Sequence, residues 1–322
     1  MRPMRNIKVL GIPFNYGQGH EGVRLGYKHL CISGLDSRIN PYFRSTYNEI
    51  NFHPRFHEPI DKIKFLNQAS AANELISDII SDMELAETFL LNIGGDHGMG
   101  LGTVHGVLNQ NPETIVVWAD AHGDINTPET SPSGNFHGMP LAFLLERARH
   151  KKLSWMSKKL LPEKLILIGP RDLDEGEKAI IRDLDICYFS SEQMNRFGTK
   201  DLLEMALLRL DPMGRYPIHL SFDVDLFDGS DVVATGTRVS EGPRKEEVFQ
   251  IGEVLAQTGR LRSMDIVELN PMLGEFHEVE SSTKLVLHFL ERTFRNMNLP
   301  NEQRIPLVQK VRRTFLFSRQ NG

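Results

Sequence analysis

The chain has 322 residues, enough for one large α/β domain or two ordinary ones, and its 40% hydrophobic and 25% charged fractions provide a sizeable buried core. Its 37 basic residues fall short of its 42 acidic ones, giving a net charge of −5, so no basic excess points to nucleic acid and no strong acidic bias to disorder. There is no run of about 18 apolar residues to span a membrane and no apolar leader after Met1. Cys31 and Cys187 stand alone outside any metal or disulfide spacing, so a reducing, cytoplasmic compartment is expected.

In chain order, residues 7–12 form the first apolar run. Residues 38–59 follow, polar and aromatic without a clear period, and read as an excursion or rim loop. Within it His53 and His57 lie four apart, but Pro54 lies between them and no acid is placed to join them, so they are given no metal role. Residues 70–88 carry acids and aliphatics at helical spacing and lead into an apolar run at 89–93. After that, helical patterns at 102–108, 139–149, 174–184, 199–209, 244–258 and 278–295 alternate with apolar runs at 115–118, 165–168, 218–222 and 264–269.

These runs are nearly continuous in Val, Ile and Leu, as parallel strands covered on both faces must be. Alternation with helices predicts a single-domain α/β fold over residues 1–322: a doubly wound parallel sheet with helices on both faces, in three α/β/α layers. Residues 301–322 form a basic tail with Phe315 and Phe317 interleaved, read as solvated or packed against another subunit.

Four apolar runs end in metal-binding side chains: Gly94-Gly-Asp-His97, Asp120-Ala-His-Gly-Asp124, Asp223-Val-Asp225, and the run ending at Glu268. Ligands in open α/β sheets bind beyond the carboxyl ends of the strands, so the pattern predicts fold and site together. In an extended chain Asp120, His122 and Asp124 face one way, and Asp223 and Asp225 repeat that arrangement with Val224 turned into packing. With His97, the set holds four carboxylates and two imidazoles. One divalent ion offsets two of the four negative charges and two ions offset all of them, so a binuclear centre is expected. Oxygen-rich ligation with imidazole and no thiolate suits Mn²⁺-like ions, with other divalent transition metals as alternatives.

These three metal motifs, in this order and spacing, resemble those of the ureohydrolase (arginase–agmatinase) family, from Gly11-Ile-Pro-Phe to Glu268-Leu-Asn-Pro271. The resemblance implies two Mn²⁺ per subunit. His97, Asp120, Asp124 and Asp223 would hold one ion and Asp120, His122, Asp223 and Asp225 the other, with Asp120 and Asp223 bridging. It implies cleavage of a guanidino group to urea and an amine by a metal-bridging hydroxide. Glu268 would grip the guanidinium, and His137, in Ser133-Gly-Asn-Phe-His137, would pass a proton to the leaving amine. His137, Asp124 and Glu268 are thus the implied catalytic groups.

Residues 124–135 resemble the arginase-type loop that takes an α-carboxylate, with Asn126, Ser131, Ser133 and Asn135 as its donors. Asp174 and Glu177 match the segment that meets the α-amino group, although Asp174 is equally a helix N-cap. The implied reaction is conversion of L-arginine to L-ornithine and urea. Agmatine, guanidinobutyrate or formiminoglutamate are the alternative substrates within the family, and a non-catalytic binding protein that keeps the ureohydrolase fold is the alternative of a different class. A metallophosphatase would want basic phosphate-holding groups where this loop offers neutral donors. Family members form trimers or hexamers, so a homo-oligomer is implied, with no nucleic-acid or membrane partner. Two departures fall on the expected site rim: Leu226-Phe-Asp-Gly after Asp225, and Arg238 and Glu241 where the family has Pro and Gly.

Overall fold

A computed structural model describes residues 6–52, 62–85 and 87–299; His53, His57 and the basic tail lie outside them. Strand β1 (Asn6–Gly11) is followed by helices α1 (Gly26–Ile32) and α2 (Leu35–Ile39), strand β2 (Arg44–Glu49) and helix α3 (Leu66–Ser81). Next come β3 (Thr88–Ile93), α4 (Gly100–Gln110), β4 (Ile115–Ala119), α5 (Pro140–Leu144) and β5 (Leu165–Gly169). Then come α6 (Glu175–Asp183), β6 (Cys187–Ser190), α7 (Ser191–Phe197), α8 (Thr199–Leu210) and β7 (Ile218–Asp223). The described order closes with α9 (Lys245–Gln257), β8 (Leu261–Val267) and α10 (Phe276–Met297).

All eight strands are parallel in one sheet, ordered β2-β1-β3-β8-β7-β4-β5-β6. Alternate residues of each central strand feed two separate cores. On one face Ile115, Val117 and Ala119 of β4 join a cluster with α1, α2, α8, α9 and α10. On the other, Val116 and Trp118 pack with α3, α4, α5 and α6. Both faces are therefore dry, which is why the central strands read as unbroken apolar runs. The three-layer, doubly wound expectation is met. No helix among the described residues is long and apolar enough to cross a membrane.

Two strands escaped the hydrophobic pattern, and both are edges. Residues 38–59, expected as a loop without secondary structure, contain β2, whose residues alternate between exposed and half-buried because it has one neighbour and one covered side. The four-residue β6 closes the opposite edge. The helix expected over 139–149 stops at Leu144, where Glu146 adopts φ +54° and the chain folds back through an Arg147 N–H bond to Ala142 O at 2.8 Å.

At the amino edge a buried ion pair pins β8. Arg260 precedes the strand and pairs with Asp211, which caps the end of α8 and also accepts the Tyr216 N–H at 2.8 Å. Both side chains are buried. Breaking a buried pair strands the surviving charge. Asp211→Ala is expected to destabilise the protein by about 3–5 kcal/mol, read as a fall in the urea midpoint at unchanged slope.

Candidate metal centre and substrate pocket

The four strands whose tips carry the candidate ligands, β3, β8, β7 and β4, are consecutive neighbours in the middle of the sheet. His97 follows β3 through Gly94-Gly95. A side chain at Gly95 would place Cβ 1.7 Å from the Phe14 carbonyl oxygen, so only glycine lets this turn pass under the neighbouring loop. Asp120, His122 and Asp124 follow β4, Asp223 ends β7, and Glu268 follows β8. Asp124 and Glu268 both adopt left-handed backbone, φ +50° and +66°, conformations a non-glycine residue holds only when its surroundings compel it.

All six expected ligands converge. His97 Nδ1 lies 2.8 Å from Asp120 Oδ2, 3.1 Å from Asp124 Oδ2 and 3.2 Å from Asp223 Oδ2. His122 Nδ1 lies 3.1 Å from Asp225 Oδ2 and 3.3 Å from Asp120 Oδ1. Asp120 thus turns one oxygen to each imidazole. It belongs to both groups of mutually close ligand atoms, His97–Asp120–Asp223 and Asp120–His122–Asp225. Asp223 closes on the His97 side.

The local backbone differs from the extended chain expected. Asp120 Oδ1 accepts the His122 N–H at 2.7 Å and Asp223 Oδ1 accepts the Asp225 N–H at 2.8 Å. Each pair is thus drawn together by a carboxylate bonding the amide two residues on, a turn rather than a strand. Val224 is buried, as expected.

The electrostatics are those of an acid cluster that wants cations. Burial raises Asp124, and the Asp120 charge adds to it, to about 6. Asp223 is held well above its ordinary value by burial and by Asp225 and Asp120. Burial would lower His97, but the Asp120, Asp124 and Asp223 carboxylates gathered around its Nδ1 prevail and hold it well above its ordinary value. Asp120 moves the opposite way: burial pushes it up, and the bonds to His122 and His97 bring it well below. Asp124 Oδ2 is buried with no hydrogen-bond donor, its one close neighbour being a His97 nitrogen that lies nearer to Asp120. Four carboxylates, one with an orphaned buried oxygen, and two imidazoles match the donor set of a divalent metal pair.

Glu268 sits beside this cluster. Its Oε1 accepts the His97 backbone N–H at 2.9 Å and lies 3.1 Å from His137 Nδ1, while Oε2 accepts from Gln18 Nε2. Burial lowers the affinity of His137 for a proton, but the Glu268 carboxylate outweighs it and raises its pKa to about 9. Sequence reasoning passed over several neighbours. Trp118 stacks on His97 with ring centroids 4.0 Å apart, Ser221 Oγ lies 2.9 Å from His97 Nε2, and Thr237 Oγ1 donates to Asp225 Oδ2 at 2.9 Å. Asp96, buried, binds the N–H groups of Gly17 and Gly98, each at 2.9 Å. Asp96 lies within a motif that flagged the site, and Trp118 and Ser221 lie in the apolar runs that lead into the other two; Gln18 and Thr237 carried no local signal beyond a polar residue past an apolar run.

The loop over residues 124–135 is built mostly of its own turns. Ser131 Oγ accepts the Gly134 N–H at 3.0 Å, Ser133 Oγ accepts the Asn135 N–H at 3.1 Å, and Asn135 Oδ1 accepts from Lys64 Nζ at 3.0 Å. Asn126 Nδ2 donates to Asp174 Oδ2 at 2.8 Å, which ties this loop to the start of α6. Asp174 and Glu177 form a capping box there, so the N-cap reading of Asp174 holds. Asn135 and His137 line a 270 Å³ cavity with Gln18, His20, Lys64 and Thr237. Across the site, Arg171 gathers five backbone carbonyls: Asp225 at 2.9 Å, Leu226 at 3.1 Å, Phe227 at 2.9 Å, Val239 at 3.0 Å and Ser240 at 3.1 Å. It locks the segment containing both departures, whose Arg238 and Glu241 side chains are exposed.

A buried acid–imidazole cluster at the carboxyl edge of a doubly wound parallel sheet, with a proton-carrying histidine at its mouth, defines a metal-dependent hydrolase. Residues 5–292 match the model of the arginase family. The chain belongs to that family. It is 36% identical to the hepatic arginase of Aquarana catesbeiana, over 89% of this chain and 90% of the relative, and 35% identical to the arginase of Schizosaccharomyces pombe, over 87% and 88%. The fold superposes on the Entamoeba histolytica arginase, solved in complex with L-ornithine, with a TM-score of 0.83 and 33% identity, covering 91% of this chain and 99% of that one.

Glu177 gives the pocket a measurable pH signature. Burial raises its pKa to about 8, with help from the charges of Asp124 and Asp174. The folded protein therefore holds a proton that the unfolded chain releases above its ordinary value of 4.5, so stability contributed by this group falls as pH rises from there towards 8. In the metal-free protein, Glu177→Gln should remove a slope of up to about 1.4 kcal/mol per pH unit, read from urea unfolding at pH 5, 6, 7 and 8.

Proposed function

We propose that this protein hydrolyses the guanidino group of L-arginine to L-ornithine and urea, using two Mn²⁺ ions. The observation that carries the reading is the convergence of six ligands on two adjoining positions that share Asp120. His97, Asp120, Asp124 and Asp223 would hold one ion, and Asp120, His122, Asp223 and Asp225 the other. When bound, such a pair would supply a water-derived nucleophile at neutral pH.

The protein's own groups do the rest. Glu268, its carboxylate anchored by the His97 N–H and by Gln18, accepts N–H bonds from the planar guanidinium. Asp124 Oδ2, without a donor of its own, takes a hydrogen bond from the attacking group. His137, held towards its charged form by Glu268, gives its proton to the leaving amine. Asn126, Ser131, Ser133 and Asn135 face the α-carboxylate, and Asp174 and Glu177 the α-ammonium. We further assign the cytoplasm, on the two unpaired cysteines Cys31 and Cys187, and a trimeric or hexameric assembly, as family resemblance implies.

Mn²⁺-loaded protein should release urea and ornithine from L-arginine in a coupled urea assay. Agmatine, which leaves the carboxylate donors unpaired, should be turned over with kcat/KM lower by roughly two to four orders of magnitude. Equal or better turnover of agmatine would reassign the substrate, and no urea from either would defeat the reading. Glu268→Gln keeps the shape and loses the charge. It should lower kcat/KM for arginine by roughly 10- to 100-fold, with most of the effect in KM, in steady-state assays at saturating Mn²⁺.

A further inference from the structure

Beneath the six ligands lies a buried carboxylate that the mechanism above does not use. Asp265, in β8, is completely buried. Its Oδ1 accepts from Asn92 Nδ2 at 2.7 Å. Its Oδ2 accepts from Thr103 Oγ1 at 2.5 Å and from Ser221 Oγ at 3.4 Å, and lies 3.2 Å from His219 Nε2. These partners come from β3, α4 and β7, so three elements converge on one acid at the middle of the sheet. A buried carboxylate is costly compared with an apolar side chain of similar size, and packing alone gives no reason for one here.

Ser221 supplies the reason. Its Oγ stands between Asp265 Oδ2 and Nε2 of His97, 2.9 Å from the latter. The carboxylate has no proton to offer, so the hydroxyl donates to Asp265 and must accept the Nε2–H of His97. In the neutral imidazole that a metal ligand must be, that leaves Nδ1, the nitrogen among Asp120, Asp124 and Asp223, to carry the lone pair. Trp118, stacked on the ring, keeps it from turning. We propose that Asp265 is a positioning residue, which through Ser221 fixes the tautomer in which His97 can hold a divalent ion. The inference rests on His97 being a ligand, as proposed above.

Metal-ligating histidines depend on the partner of their second nitrogen, and loss of that partner weakens binding by roughly 10- to 100-fold. In Asp265→Asn the amide keeps the shape of the acid but brings N–H groups of its own among the donors, and Ser221 loses its obligate acceptor. Ser221→Ala cuts the relay at the other end and leaves Asp265 its remaining partners. Mn²⁺ titrations by calorimetry and chelator competition, with metal counted after dialysis, should show two tight ions on the wild-type protein. Each variant should keep one ion at native affinity and hold the other about 10- to 100-fold more weakly. A merely structural role would instead shift the melting temperature of the metal-free protein and leave both dissociation constants in place. Native affinity for both ions in Asp265→Asn, or in Ser221→Ala alone if the first variant does not fold, overturns the relay while sparing the metal reading. A wild-type protein that binds no Mn²⁺ overturns both.

Discussion

Four carboxylates crowd into a dry pocket at the centre of the sheet, and their mutual repulsion is the constraint around which the rest of the site is built. Two like charges about 4 Å apart cost on the order of 4 kcal/mol near a protein surface, and these lie deeper. Asp124 and Asp223 respond by being driven towards their protonated forms, while Asp120 stays ionised only because an imidazole stands on each side of it. The surroundings are arranged to hold such a cluster open for cations: turns closed by carboxylate-to-amide bonds, left-handed backbone at Asp124 and Glu268, and a glycine turn beneath Phe14.

Division of labour among adjacent strand tips then follows. β3, β7 and β4 deliver acids and imidazoles that share one charge problem. β8, inserted between β3 and β7, delivers Glu268 beside His97 and His137 and another acid, Asp265, that lies below the acid–imidazole cluster. A single strand thus contributes both beside and below the cluster because Asp265 and Glu268 are separated by the turn out of the sheet, where Glu268 leaves extended geometry.

Much of this was legible in the chain. The central strands announce themselves because both faces are buried, and the ligand motifs because acids and imidazoles rarely end such runs in series. What escaped notice has a common physical cause: it is polar structure satisfied by distant partners. β2 is a strand because β1 lies beside it, not because of its own residues. Gln18 and Thr237 matter because folding brings them to Glu268 and Asp225, 250 and 12 residues away. The expectation of an extended Asp-x-Asp reached the right convergence by the wrong geometry, since alternation in a strand and a two-residue turn both turn the intervening side chain away. His219 and Ser263, 2.8 Å apart and wholly buried, looked like ordinary strand residues in the sequence.

The Arg171 clamp has an evolutionary meaning. One guanidinium fixes the backbone from Asp225 to Ser240 by gripping carbonyls, and a carbonyl is the one feature that every amino acid brings to its position. An exposed side chain on that stretch, such as Arg238, can change without moving Asp225, whereas Thr237, whose hydroxyl bonds Asp225, cannot. The exposed side of this segment is thereby uncoupled from the buried acid–imidazole cluster, so that selection can vary the one while the other is left undisturbed.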